Sequence, residues 1–426
     1  MKLSEWTAAL ENGDFDERLS GLYGKENLDA EKERYQQALS EFSVRYGDAR
    51  DVTLFSVPGR SELSGNHTDH NHGRVIAASV NLDVIAVVAM REDLCIRVKS
   101  EGHEEDVVDL DSFTEPDPAL YGRSSSLIAG MANGFSDLGY NVGGFDAYTT
   151  SNVPKGSGLS SSAAFENLIG TVLNHLYNDG AVDPVTIAKL SQKAENAYFG
   201  KPCGLMDQVA CAMGGIVTID FADPAAPVIE KIPFDFSAEG YKLCIVNTGG
   251  NHADLTPDYA AVPAEMKSVA RFFGKEVLRE VPEGDFMAKI AELRETVGDR
   301  AILRALHFYS ENRRVEKQAA ALREGRLDEY LKLTLESGRS SFCYLQNVYT
   351  NQNVAEQGLS LALCLAETLL ADEEAAWRVH GGGFAGTIQA FVPERMSEVF
   401  SASMEEVFGK GSCMVLSVRL EGLAKI

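Results

Sequence analysis

The sequence predicts a mixed α/β or α+β protein organised as two domains. Strand-like and helix-like stretches alternate from end to end, the pattern of folds that pack helices on sheets. At 426 residues the chain exceeds the size at which one core stops growing. Hydrophobic residues make up 45% and charged residues 24%, the ordinary mix of a globular protein.

The elements follow in order. Leu28, Tyr35, Ala38, Leu39, Phe42 and Tyr46 recur at helical spacing between charges, so 26–46 reads as an amphipathic helix. Val52 to Val57 reads as a strand, and 58–73 as a polar, His-rich loop. Val75 to Met90 reads as one or two buried strands; Asn81 and Asp83 interrupt it, and it is too short to span a bilayer. A strand at 145–150 leads into a Gly/Ser loop at 152–162 and an apolar helix from Ala163 to about Tyr177. Helix is expected at 186–199, and strands at 215–221 and 242–247. The Pro-rich region 222–233 marks the boundary, giving domains 1–225 and 226–426. Long helical patterns occupy 286–324, 327–343 and 353–371, followed by strand 385–392, helix 394–408 and strand 413–420.

Charge excludes some functions. There are 39 Lys+Arg against 63 Asp+Glu, a net charge of −24. That argues against nucleic-acid binding and against adsorption to anionic membranes. An anionic substrate would need local groups that work against the global field. The seven cysteines are widely spaced with no C-x-x-C pair, which suits reduced thiols rather than a disulfide framework or a zinc ribbon. The N-terminus shows no apolar signal core, so a soluble cytoplasmic protein is expected. Oligomeric state is not legible.

Four motifs carry chemistry. In Pro154-Lys155-Gly156-Ser157-Gly158-Leu159-Ser160-Ser161-Ser162-Ala163-Ala164, glycines allow close backbone approach and serines add donors. The following helix points its free N–H groups back at the loop, which makes a phosphate cradle. It is not a P-loop, and the plain alternative is a Ser-rich helix cap. The second motif runs from Pro58-Gly59-Arg60 through Asn66-His67-Thr68-Asp69-His70 to Gly73, dense in polar groups suited to sugar hydroxyls. Its histidines lack the spacing of a metal site. The third, Lys201-Pro202-Cys203-Gly204-Leu205-Met206-Asp207-Gln208, sets one Asp in an apolar context, either as a helix cap or as a base. The fourth, Gly381-Gly382-Gly383-Phe384-Ala385-Gly386, marks tight packing or close ligand approach.

In order and number these motifs resemble the GHMP small-molecule kinases, and most closely the galactokinase family. That family reads P-G-R-x-N-x-I-G-E-H-T-D-Y-N-G-G, then N-V-P-x-G-x-G-L-S-S-S-A, C-G-x-M-D-Q and G-G-G-F-G-G. Gly144-Phe145-Asp146-Ala147, Ala194-Glu195-Asn196 and Glu311-Asn312-x-Arg314-Val315 also resemble it. The resemblance implies an N-terminal ribosomal-protein-S5-domain-2-like lobe, a ferredoxin-like C-terminal lobe and an active site in the cleft. It implies transfer of the ATP γ-phosphate to carbon 1 of a sugar, with Mg²⁺. By position, Gly156, Gly158, Ser160, Ser161 and Ser162 match phosphate-wrapping residues, and Ser162 and Glu195 match magnesium ligands. Asp207 matches the carboxylate facing the sugar hydroxyl, and Arg60 the arginine beside it. His67, Asp69, Gly204 and Tyr259 match sugar contacts.

The sugar motif departs from the family. Asn66 replaces Glu, His70 replaces Tyr, Glu62 replaces Asn and Ser64 replaces Ile. Val262 and Pro263 stand where the family has paired arginines, and Ala385 interrupts the fourth motif. An amide at 66, taken as a sugar-binding group, would tolerate a carboxylate on carbon 6. Galacturonate is therefore an alternative to galactose. A non-catalytic galactose and ATP sensor is a third reading, disfavoured by the complete Ser162-Ala163-Ala164 and the presence of Asp207 and Arg60.

Overall fold

Two β-sheets organise the chain, and the strand pattern assigns each face of both. The computed structural model describes residues 1–112, 115–154, 156–250 and 255–426. The larger sheet contains Thr53–Ser64 (β1), Arg74–Met90 (β2), Cys95–Ser100 (β3), Glu105–Asp109 (β4), Phe145–Ser151 (β5), Ile216–Asp220 (β6) and Val228–Ile232 (β7). The smaller sheet contains Tyr241–Asn247 (β8), Ala376–Val379 (β9), Thr387–Pro393 (β10) and Cys413–Leu416 (β11). The last strand, Ala424–Lys425 (β12), returns to the larger sheet beside β1.

The larger sheet has the order β12-β1-β2-β5-β3-β4, with β6 on β2 and β7 on β6. Among the described residues only β3 and β5 pair in parallel. The long β2 pairs with β1 along one edge and divides the other: Arg74–Ala78 faces β6, and Val84–Met90 faces β5. The smaller sheet is antiparallel, in the order β11-β8-β10-β9.

Alternation along β2 explains the layers. Val84, Ala86 and Val88 join a core with helices Ser124–Asp137, Ser161–Tyr177 and Pro184–Lys193. Ile85, Val87 and Ala89 face the other way, onto Leu3, Trp6, Leu19, Tyr35 and Phe42 of the N-terminal helices. The segment before residue 50 therefore covers the outer face of the larger sheet. The smaller sheet repeats the scheme: Leu243 and Ile245 pack on one core, Cys244 and Val246 on another.

Several expectations change. The loop expected from residue 58 begins later, because β1 continues to Ser64 with irregular register at Pro58/Arg60 and Glu62/Ser64. Of its polar side chains, Arg60, Ser61 and Glu62 are buried. The pattern at 286–324 divides into Glu283–Ala288, Ile290–Thr296 and Asp299–Arg323, with Gly298 at φ 83° before the last. The strand expected at 413–420 ends at Leu416, and the 353–371 helix starts at Gly358. Helices Leu3–Asn12, Asp16–Tyr23, Ser124–Asp137, Met206–Met213 and Thr256–Phe272 were not foreseen. The 225/226 boundary falls ahead of β7, which bonds to β6, and β12 also joins the larger sheet. That sheet thus takes strands from both sides of the cut. No helix among the described residues is long and apolar enough to cross a membrane.

Candidate active site

Arg60 on β1 and Asp207 in the first turn of Met206–Met213 meet at the centre of the site. Arg60 Nε donates to Asp207 Oδ1 at 2.7 Å, and Nη2 lies 2.6 Å from Oδ2. Ser160 Oγ donates to Oδ2 at 2.5 Å. Burial favours the neutral acid, but the Arg60 charge and these hydrogen bonds outweigh it and hold the Asp207 carboxyl below its ordinary range. Arg60 also donates to the Gly158 carbonyl, and its backbone N–H bonds Leu159 O at 3.0 Å. A Cβ on Gly59 would stand 2.6 Å from Leu159 O. That glycine lets the strand and the loop touch.

The 156–162 loop has the form of an anion site. Gly156 and Gly158 have φ of 75° and 73°, and Ser160 adopts the left-handed region at φ 57°. Ser160 stands at the N-cap of Ser161–Tyr177, yet its hydroxyl caps no helical amide. Asp207 has taken that hydroxyl, so the first N–H groups of the helix stay open to a ligand. The Ser-rich cap considered from the sequence is thus not what Ser160 provides. Lys155 lies outside the described residues.

Glu195 lies beside the same helix start. Ser162 Oγ contacts its Oε1 at 3.4 Å, Gln208 Nε2 donates to Oε2 at 2.9 Å, and Lys201 Nζ reaches Oε1 at 2.7 Å. Glu166 is buried nearby with both carboxyl oxygens unpartnered. Burial and then the Glu195 charge push its pKa well up. A cavity of about 420 Å³ opens next to Ser161, Ser162 and Phe165, and is walled by Ser100, Thr149 and Ser151.

Three of the residues assigned to the sugar, Asn66, His67 and Tyr259, meet the glycine loop 381–383. His67 Nε2 donates to Gly382 O at 2.9 Å, which places its proton on Nε2. Burial lowers the His67 pKa to about 4, so the ring is neutral. Tyr259 Oη donates to Gly383 O at 2.8 Å. Asp69 faces Gly204, whose added Cβ would stand 3.3 Å from Asp69 Oδ2. His70 is exposed, 3.7 Å from Asp69. A Cβ on Gly383 would come within 2.0 Å of Asn347 O, so close approach of that loop requires glycine.

Asn66 differs from its expected role. It is fully buried. Its Nδ2 donates to Gly381 O at 2.6 Å and to Glu62 Oε1 at 3.1 Å. Its Oδ1 accepts from Asn347 Nδ2 at 2.8 Å and Ser341 Oγ at 3.3 Å. The amide is spent inside the protein, which leaves no free donor for the sugar hydrogen bond foreseen from the sequence. Arg378, also buried, pairs with the same Glu62 oxygen at 3.2 Å. Glu311 and Asn312 support this motif from helix Asp299–Arg323: Glu311 accepts from Gly65 N at 3.2 Å, and Asn312 from Arg74 N at 2.7 Å. Burial opposes the Glu311 charge, but Arg314 overrides it and lowers the pKa to about 2.

Known proteins share both motifs and fold. The GHMP kinases N terminal domain matches residues 122–215, and the galactokinase galactose-binding signature matches residues 40–90. The chain is 31% identical to a galactokinase of Streptomyces coelicolor over 372 residues, 86% of this chain and 91% of that one. It is 30% identical to a galactokinase of Clostridium tetani over 372 residues, 87% of this chain and 91% of that one. The chain belongs to the galactokinase family. The structure of Lactococcus lactis galactokinase complexed with galactose aligns with a TM-score of 0.75 at 26% identity, covering 91% of this chain and 98% of that one.

The protein is therefore a galactokinase-family sugar kinase with the GHMP fold, and membership implies ATP as phosphoryl donor. Sequence reasoning left some of the site unassigned. Lys201 stood inside a quoted motif but had no role, because only the fold brings it to Glu195. Asn347 and Arg378 carried no local signal, and neither did the 420 Å³ cavity.

Proposed function

We propose that this kinase transfers the γ-phosphate of ATP to the carbon-1 hydroxyl of galactose, giving galactose 1-phosphate and ADP. The observation that carries the reading is the Arg60–Asp207–Ser160 cluster set against open helix amides. Phosphoryl transfer asks mainly for positioning and charge neutralisation. The amides after Gly158 and the start of helix Ser161–Tyr177 would hold phosphate oxygens. Arg60 supplies fixed positive charge between the loop and Asp207. Asp207, ionised and already accepting three hydrogen bonds, is a weak base. It orients the sugar hydroxyl and takes its proton late.

Mg²⁺ fits the donors present. Ser162 Oγ and Glu195 Oε1 are hard oxygens 3.4 Å apart at the loop. These two would hold the ion, which when bound neutralises developing phosphate charge. The cavity beside Ser161 and Phe165 suits the rest of the nucleotide. His67, Asp69, Gly204 and Tyr259 would contact the sugar, while Asn66 braces the neighbouring glycine loop through Gly381 O. A cytoplasmic setting accords with the unpaired cysteines.

The uronate alternative rested on an amide at 66 that neither repels a carbon-6 carboxylate nor lacks a donor for it. Asn66 is buried and gives both its N–H groups to Glu62 and Gly381. The loss of that donor favours galactose. The test is a coupled ADP assay with galactose and galacturonate at saturating Mg²⁺-ATP. Galactose should show much the higher kcat/KM; the reverse order would replace this reading with the uronate kinase.

A further inference from the structure

Among the described residues beside the 156–162 loop, Lys201 is a cation that the proposed chemistry does not use. Its ammonium lies 2.7 Å from Glu195 Oε1, with the lysine side chain 60% exposed and the carboxylate 3% exposed. It therefore covers a buried carboxylate from the solvent side. Ser162 Oγ touches the same oxygen, which puts the ammonium at the open end of helix Ser161–Tyr177. The lysine backbone N–H is tied to Glu195 O at 3.1 Å, so the side chain starts from a fixed base. Gln208 pins the other carboxylate oxygen at 2.9 Å. An ammonium has three donors, and one contact to Glu195 leaves the others free to face an anion.

We propose that Lys201 binds nucleotide phosphate directly, bridging Glu195 to a phosphate oxygen at the 156–162 loop. In a chain of net charge −24, this places a positive charge where an incoming polyphosphate meets Glu195 and Asp207. A simpler role is that Lys201 only masks the Glu195 charge. The two roles separate when both groups are removed. If the lysine only masks, deleting Glu195 as well restores phosphate affinity; if it binds phosphate, the double variant stays weak.

The inference rests on the nucleotide reading of the 156–162 loop. The experiment is calorimetric binding of the non-hydrolysable analogue AMPPNP in EDTA, with Mg²⁺ titrations in parallel. Lys201→Met should bind about 10-fold more weakly than the parent, the worth of one charge-assisted hydrogen bond. Lys201→Arg should stay within about 3-fold, since charge and reach are kept. The double variant Glu195→Gln/Lys201→Met should remain at least about 5-fold weaker than the parent. Parental affinity in Lys201→Met, or its recovery in the double variant, overturns the role of Lys201 and leaves the nucleotide site standing. Absence of AMPPNP binding by the parent protein, with and without Mg²⁺, overturns the nucleotide reading and this inference together.

Discussion

Arg60 grips Asp207 at two points, Nε on Oδ1 at 2.7 Å and Nη2 on Oδ2 at 2.6 Å. The fork fixes the plane of the carboxylate, and Ser160 adds a third donor. A carboxylate so loaded stays ionised at neutral pH and gives up basicity for orientation. Transfer through a loose transition state tolerates that exchange.

Asp207→Asn tests the grip. The amide keeps the shape but loses the charge and the proton acceptor. Turnover should fall by a factor on the order of 10²–10⁴, while galactose binding persists. Steady-state kinetics beside calorimetric galactose titration would check this. Undiminished kcat would remove Asp207 from the chemistry.

Gly59→Ala tests the contact between strand and loop. The new Cβ would lie 2.6 Å from a backbone oxygen, Leu159 O, which cannot rotate away. The expected cost is roughly 1–3 kcal/mol in urea unfolding, with weakened AMPPNP binding as the loop shifts. Gly47→Ala has no atom within 4 Å of its Cβ and lies far along the chain from the loop. It should carry only the backbone strain of φ 86° and leave AMPPNP affinity unchanged.

Glu62 gives a pH signature. Burial raises its pKa to about 7, against an ordinary 4.5, with Arg378 only partly opposing the shift. The folded state therefore binds the proton more tightly than the unfolded chain. The stability from that proton is fully present below pH 4.5 and is lost as pH rises through 7. Glu62→Gln should remove this loss, flattening stability between pH 4.5 and 7 by on the order of 3 kcal/mol. Urea midpoints at pH 5 and pH 7.5 would show it. An unchanged slope in the variant would assign the pH dependence to other groups.

Trp6→Ala tests the N-terminal cover. Trp6 is 4% exposed, packs in the core that receives Ile85 and Val87, and donates Nε1–H to Val52 O at 3.1 Å. Its removal should cost about 3–5 kcal/mol. Val44, 84% exposed, should cost less than about 0.5 kcal/mol when changed to Ala. Equal effects at the two positions would show that the N-terminal helices are not part of the cooperative unit.

Where the signal was local, the sequence was readable. The helix after the Ser-rich loop, the strand of 145–150 and the final helix 394–408 each carry their own periodicity, and all are present. The loop expected from residue 58 is strand as far as Ser64, because Arg60, Ser61 and Glu62 find buried partners far along the chain. Arg60 reaches Asp207, Ser61 meets His380 at 3.0 Å, and Glu62 pairs with Arg378 across 316 positions. A polar string with remote partners is indistinguishable, in one dimension, from a solvated loop.

By itself the sequence determined the mixed α/β class and the kinase family. The family's motifs are residue types at fixed short spacings, which a chain records directly. The tertiary structure alone decided which polar groups remain available. It turned Ser160 from a helix cap into a partner of Asp207, consumed the Asn66 amide among Glu62, Gly381 and Asn347, and brought Lys201 onto Glu195. The reason is physical: a hydrogen-bonding group offers a ligand only what its neighbours leave unused, and those neighbours are set by packing rather than by sequence order.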